Sequence, residues 1–267
     1  MINFYKYEGC GNDFIMINNL NGDISLESDY IKSLCNRHFG IGADGLILLE
    51  KSTKALCFMN YYNSDGTQAE MCGNGVRCTA KFYLEASPKQ GLGLAEIDIE
   101  TRSGIKNIKI NQDETYSVNM GLPVFNHNDF PLGKIKIEGI DLECVSMGNP
   151  HAVSIIDDFN NIDLKTIGPK IENNENFPNK INVEFVEKIN DKNYKVKVWE
   201  RGCGETLACG TGACAVYAIL QKTSPEPGSG EAEITLDFPG GKLYLSKDHE
   251  GNIILRGPAT FSFKGEI

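Results

Sequence analysis

With 267 residues, 41% of them apolar and 23% charged, the chain has the make-up of an ordinary globule, long enough for two modest domains. A net charge of −10 argues against nucleic acid or an anionic membrane surface as partner. The opening Met1-Ile2-Asn3-Phe4-Tyr5-Lys6 lacks the basic start and apolar core of an export signal, and the uncharged run Leu207 to Leu220 is too short to span a bilayer, so a cytoplasmic location is expected.

In chain order, Phe4 to Ile17 reads as strand, glycine turn and strand around Gly9-Cys10-Gly11. A short helix is expected over Asp29 to Cys35. The tight loop Gly40 to Gly45 then enters the strand Leu46 to Leu49, and Leu56 to Tyr62 is a further strand, turned by Asn63-Ser64-Asp65-Gly66. Cys72-Gly73-Asn74-Gly75 precedes Val76, Ala80, Tyr83 and Leu84 at helical spacing, a helix expected to stop near Ser87-Pro88. Strands follow over Ala95 to Glu100, Ile105 to Ile110 and Tyr116 to Met120. Far along the chain the cysteine device recurs: Cys209 stands before Gly210-Thr211-Gly212, with Ala213, Val216, Tyr217 and Leu220 at helical spacing behind it.

The recurrence extends well beyond the cysteines. Cys72 and Cys209 are 137 positions apart (209 minus 72), and the same offset pairs Gly11-Asn12 with Gly148-Asn149, Gly45 with Asn182, Asn63 with Glu200, Ala95-Glu96-Ile97 with Ala232-Glu233-Ile234, and Gly104 with Gly241. The expected fold is therefore α+β: two pseudo-symmetric lobes from an internal duplication, each a β-sheet wrapped around a central helix. The lobes are expected over 1–119, carrying Cys72, and 120–255, carrying Cys209, with the tail 256–267 packing back on the first.

Nine cysteines without an export signal read as reduced thiols. Cys35, Cys57, Cys78, Cys144 and Cys214 read as buried structural residues. Cys72 and Cys209 differ because each sits at a helix mouth, where unpaired N–H groups and the dipole favour a thiolate and a bound anion, and bring a thiol pKa towards working pH. Inverting a carbon that carries a proton needs a base on one face and an acid on the other, and two such thiols can supply both. Neither Cys72 with Cys78 nor Cys209 with Cys214 has Cys-x-x-Cys spacing, and no histidine cluster accompanies them, so a redox or metal site is not expected.

The blocks Gly9-Cys10-Gly11-Asn12-Asp13-Phe14, Ile41 to Gly45, Met71 to Cys78, Met147-Gly148-Asn149-Pro150-His151, Glu200 to Thr206 and Ala208 to Gly212 resemble diaminopimelate epimerases in order and over nearly the whole chain. The resemblance implies a cofactor-independent isomerase that interconverts LL- and meso-diaminopimelate in the lysine and peptidoglycan pathway, with the substrate in a cleft between the lobes and a homodimeric assembly. It implies Cys72 and Cys209 as the acid/base pair, and the backbones of Gly73-Asn74 and Gly210-Thr211 as holders of the reacting carboxylate. Asn12, Asn63, Asn149 and Asn182 match substrate-contacting asparagines. Glu200 and Arg201 match a Glu-Arg pair suited to an ammonium and a distal carboxylate. His151, with Glu200, matches a group tuning the thiols.

Two positions depart from that pattern. Gly45 stands where some members carry a substrate-contacting glutamine, and Cys203 stands where a small residue is usual, without a catalytic role. Each polar residue also has a plainer reading: Asn12, Asn63 and Asn149 lie in turns where asparagine bonds its own backbone, Asn182 could cap a strand, His151 could be structural, and Glu200-Arg201 could be a solvated pair. A proline or hydroxyproline racemase-like isomerase on the same scaffold is the alternative, although cyclic substrates lack the second ammonium and carboxylate that Arg201 and the asparagines would serve. No lysine lies in the motifs around either thiol, so no pyridoxal cofactor is expected, and no metal.

Overall fold

Residues 1–86, 94–223 and 233–267 are described by the computed structural model. The helix stop expected at Ser87-Pro88 and the repeat position Ala232 lie outside these residues. The chain forms two compact units, Met1–Val118 with Gly257–Ile267, and Asn119–Arg256.

The first unit opens with an antiparallel hairpin of β1 (Asn3–Gly9) and β2 (Asn12–Asn19). Its two-residue turn, Cys10-Gly11, has φ of 54° and 79°, the doubly positive geometry that matches the twist of the paired strands. β2 then runs parallel to β3 (Gly45–Glu50), with α1 (Ser28–Cys35) in the crossover. Both strands are covered on two faces, which is why Phe14-Ile15-Met16-Ile17 and Leu46-Ile47-Leu48-Leu49 are unbroken apolar runs instead of alternating ones. On one face, Ile15, Ile17, Leu46 and Leu48 join Ile31, Leu34 and Cys35 of α1 in a single core. The other face meets α2 (Gly73–Ala86), which also packs on β1, on β4 (Cys57–Asn63) and on β5 (Glu96–Thr101). A helix inside a curved sheet is buried nearly all round, and Gly73 through Ala80 are. β6 (Gly104–Ile110) and β7 (Tyr116–Asn119) extend the sheet beyond β5, and β17 (Thr260–Glu266) pairs with β1 from the far end of the chain.

The second unit repeats this plan. β9 (Ile140–Ser146) and β10 (Pro150–Ile156) form the hairpin. α3 (Leu164–Glu172) crosses over to β11 (Asn182–Lys188), parallel to β10. β12 (Asn193–Glu200), β14 (Ile234–Phe238), β15 (Gly241–Lys247) and β16 (Ile253–Gly257) complete the sheet, and α4 (Gly210–Thr223) packs against β9, β10, β11 and β15. At the 137-residue offset β1 falls on β9, β6 on β15 and α2 on α4 without a residue of difference. The additions are β8 (Lys134–Ile137), antiparallel to β9, the short β13 (Gly204–Thr206) on β12, and a 3-10 turn at Phe159–Asn161. Each unit is thus an α+β sheet wrapped around one central helix, and Cys72 in the first and Cys209 in the second immediately precede that helix.

No helix among the described residues is long and apolar enough to cross a membrane.

Candidate active site

In the first unit the Val76 N–H bonds Cys72 O at 2.8 Å, so the N–H groups of Gly73, Asn74 and Gly75 come before the first intrahelical bond. The Gly75 N–H reaches Cys72 Sγ at 3.5 Å, and the partly exposed thiol donates to Asn12 Oδ1 at 3.3 Å. Asn12 is oriented from both ends of its amide. Its Nδ2 donates to Asp44 Oδ2 at 2.8 Å, while Oδ1 also accepts from Asn74 Nδ2 at 3.4 Å.

Behind Asn74 lies Arg77, a cation without surface exposure. Its guanidinium donates to Asn74 Oδ1 at 2.9 Å, Gly73 O at 3.2 Å and Pro258 O at 3.0 Å, which answers its burial and locks the first turn of α2. Behind Asp44 lies Arg37, 2.6 Å from its Oδ1 and 2.7 Å from Asp13. Burial works to raise the Asp13 carboxyl, but Arg37 and Lys6 outweigh it and hold the group down at about 2. Asn63 closes β4 and donates to Thr67 Oγ1 at 3.0 Å, within its own turn.

In the second unit the Ala213 N–H bonds Cys209 O at 2.9 Å, and the Gly212 N–H donates to Cys209 Sγ at 3.3 Å. Thr211 Oγ1 is 3.4 Å from the same sulfur. Glu200, at the end of β12, accepts a hydrogen bond from Thr206 Oγ1 and lies within bonding reach of the Cys209 thiol.

The electrostatics of Cys209 run against the sequence expectation of a lowered pKa. Burial pushes the thiol well above its ordinary value, and the carboxylates of Glu200 and Glu184 add to this, against the bonds from Thr211 and Gly212. A helix mouth contributes at most ~2 kcal/mol to an anion in its first turn. Loss of solvation beside two acids wins, and Cys209 rests as the thiol. Burial likewise raises the Glu200 carboxyl, with Glu184 adding to it, against the bonds from Thr206 and Cys209.

His151, on β10, is fully buried between two partners: Nδ1 is 2.7 Å from Glu184 Oε1 and Nε2 is 3.0 Å from Asn149 Oδ1. Asn182, at the head of β11, has its amide engaged by backbone, donating to Pro150 O at 2.9 Å and accepting from the Arg201 N–H at 3.0 Å. Arg201 is exposed and donates to Asn179 O at 3.0 Å. The described residues therefore bring Cys72, Asn12 and Asn74 together in one unit. In the other they bring Cys209, Thr211, Gly212 and Glu200 together, with His151–Asn149 and Asn182–Arg201 as further pairs. No group of three or more His, Cys, Asp or Glu side chains among the described residues is gathered as metal ligands.

The family model for diaminopimelate epimerase matches residues 4–126 and 143–262. A diaminopimelate epimerase of Prochlorococcus marinus (strain NATL1A) is 42% identical over 285 aligned positions, covering 99% of this chain and 98% of the relative. The chain belongs to the diaminopimelate epimerase family. A diaminopimelate epimerase of Vesicomyosocius okutanii is 40% identical over 100% of this chain and 99% of its own length. A probable proline racemase from Agrobacterium radiobacter K84 shares the fold, with a TM-score of 0.71 over 100% of this chain and 93% of that one, at 12% identity.

Within this diaminopimelate epimerase frame, Gly45 has a physical reason to remain glycine. A Cβ there would come within 2.5 Å of both the Tyr61 ring and Tyr62 O. Cys203 is exposed in a turn closed by its N–H on Glu200 O at 3.0 Å. Cys35, Cys57, Cys78, Cys144 and Cys214 are all buried, and burial raises the thiols of Cys57 and Cys144 to about 12. Sequence reasoning missed Glu184 and Arg77. Each breaks an apolar pattern at an inward position, and that break is the signal that could have found them.

Proposed function

We propose that this chain interconverts LL- and meso-diaminopimelate by a two-thiol proton exchange at one α-carbon, without added cofactor. One sulfur, as thiolate, takes the α-proton: the C–H bond breaks, an S–H bond forms, and the electron pair moves into the substrate carboxylate system. The other sulfur, as thiol, gives its proton to the opposite face of the carbon, so nothing is oxidised or reduced overall. Cys72 and Cys209 are the two sulfurs. The first-turn backbones at Gly73-Asn74 and Gly210-Thr211 hold the α-carboxylate and stabilise charge that builds up on it. Asn12, Asn63, Asn149 and Asn182 line the substrate, Glu200 and Arg201 receive its ammonium and distal carboxylate, and His151 with Glu200 tunes the thiols.

The observation that carries this reading is one device built twice. Each repeat ends a loop in a cysteine whose sulfur accepts the N–H of the third residue of the helix behind it, in a chain about 40% identical throughout to diaminopimelate epimerases. Burial raises both the Cys209 thiol and the neighbouring Glu200 carboxyl, which suits a sulfur that gives up a proton in the reaction. The same reading includes a cytoplasmic homodimer with neither nucleic acid nor membrane as partner. The test is turnover of LL-diaminopimelate against L-proline by the purified protein with no cofactor added. Epimerisation of the first alone is expected; racemisation of proline in its place would refute the substrate assignment.

A further inference from the structure

The two thiols stand in one repeated frame, and the frame exposes a difference between them. At the 137-residue offset the glycines Gly75 and Gly212 are equivalent, as are Phe14 and His151, and Ile47 and Glu184. In the first unit this corner is apolar. A Cβ on Gly75 would meet Met59 Cε at 3.0 Å, Ile47 Cδ1 at 3.2 Å and Phe14 Cζ at 3.4 Å, and Ile47 and Phe14 are fully buried.

In the second unit the same two strand positions hold an acid and an imidazole, equally buried and 2.7 Å apart. The Glu184 carboxylate presses on the first turn of α4 so closely that a Cβ on Gly212 would lie 2.5 Å from its Oε1. Its Oε2 is buried and meets no hydrogen-bond donor among the described residues. An under-satisfied buried carboxylate is costly, and the first unit demonstrates that this frame packs well with an apolar pair in the same place. Packing does not explain Glu184.

We propose that Glu184 is a positioning residue of the epimerisation: it fixes His151, and through it the Asn149 amide, and it sets an acid against the first turn behind Cys209 at the position where the first unit has Ile47. Glu184 fixes the ring through Nδ1, and Nε2 lies 3.0 Å from Asn149 Oδ1, so the pair sets how the Asn149 amide is turned. The adjacent charge keeps Cys209 as the proton-carrying member of the pair, in line with the contribution of Glu184 to its raised thiol. The inference rests on the reading of Cys72 and Cys209 as the reacting sulfurs.

Two variants test it. Glu184→Gln keeps the shape and one acceptor oxygen and removes the charge. The double variant H151F/E184I imports the pair that packs in the first unit. The readouts are thermal midpoint, kcat and KM for epimerisation, and the mass-resolved rate of iodoacetamide alkylation at Cys209 relative to Cys72. Expected are midpoints at or above wild type, a kcat lowered about 10- to 100-fold with KM within about threefold, and, in E184Q, a Cys209:Cys72 alkylation ratio raised about threefold or more. An E184Q protein with wild-type kcat and wild-type alkylation ratio overturns the proposal. If the double variant does not fold, E184Q alone decides. If the wild type does not epimerise diaminopimelate, the functional reading fails and the alkylation ratio decides the role of Glu184: raised in E184Q it stands, unchanged it falls.

Discussion

Alanine at Gly212 and at Gly75 should have opposite consequences, although both are the third residue of equivalent helices. Replacing a helical glycine stabilises a protein by up to ~1 kcal/mol when the new methyl fits. At Gly75 the methyl meets the ends of flexible side chains at 3.0–3.4 Å, and Met59 can move by the few tenths of an ångström required. Gain and strain then cancel to within ~0.5–1 kcal/mol. At Gly212 the methyl would fall 2.5 Å from Glu184 Oε1 and 3.2 Å from Cys209 Cβ. Glu184 has no surface to retreat to and is tethered to His151, so the helix turn or the Glu184–His151 contact must shift. Overpacking of this kind costs ~1–3 kcal/mol, leaving a net loss of ~1–2 kcal/mol for Gly212→Ala. Urea unfolding of the two variants beside wild type measures the difference, and initial rates measure its consequence: G212A is expected to lose about tenfold or more in kcat, and G75A to stay within about threefold. Equal stability and equal activity of the two variants would refute the argument that Glu184 dictates the glycine.

Other consequences follow from the same contacts. Arg77→Met retains volume but strips donors from Gly73 O, Asn74 Oδ1 and Pro258 O, so it should destabilise the first unit by ~2–4 kcal/mol and lower kcat/KM by releasing Asn74 and Asn12, measured by urea titration and initial rates. The Asp13 carboxyl, held at about 2 and so below the ordinary aspartate value, stabilises the fold above the unfolded pKa and loses that contribution as pH falls through the folded one. Asp13→Asn should therefore cost ~2 kcal/mol at pH 7, with the gap to wild type closing between about pH 4 and pH 2 in an acid-unfolding series. Asn12→Ala removes the acceptor of the Cys72 thiol and the substrate contact proposed for it, so kcat/KM should fall about 10-fold or more while the unfolding midpoint moves little.

Much of the fold was legible because the duplication preserves spacing. Glycine turns and apolar periods mark α2 and α4, and the shared offset carries β1 to β7 of the first unit onto strands of the second. The additions β8 and β13 are three or four residues long and have no copy to announce them. The placement of Cys72 and Cys209 was legible as a motif, since a thiol before Gly-x-Gly implies a helix mouth, whereas the bonding of Asn63 within its own turn and of Asn182 to backbone was not. Glu184 was hidden because Asn182-Val183-Glu184-Phe185-Val186 passes for a half-exposed strand with one solvated acid. Reading the repeat position by position would have set it against Ile47, and His151 against Phe14, an acid and an imidazole where the copy is wholly apolar. The raised Cys209 thiol was not legible at all. It arises from burial and from two carboxylates delivered by β11 and β12, strands that precede the cysteine by 9 or more positions.

The most direct test of the two-sulfur account is epimerisation of LL-diaminopimelate in deuterium oxide, stopped at low conversion. When one sulfur removes the proton and another supplies its replacement, the meso product should carry one deuterium at the inverted carbon while the remaining LL substrate carries none, and Cys72→Ala or Cys209→Ala should abolish product. Deuterium in recovered substrate at the level found in product, or product formation that survives loss of either thiol, would contradict it.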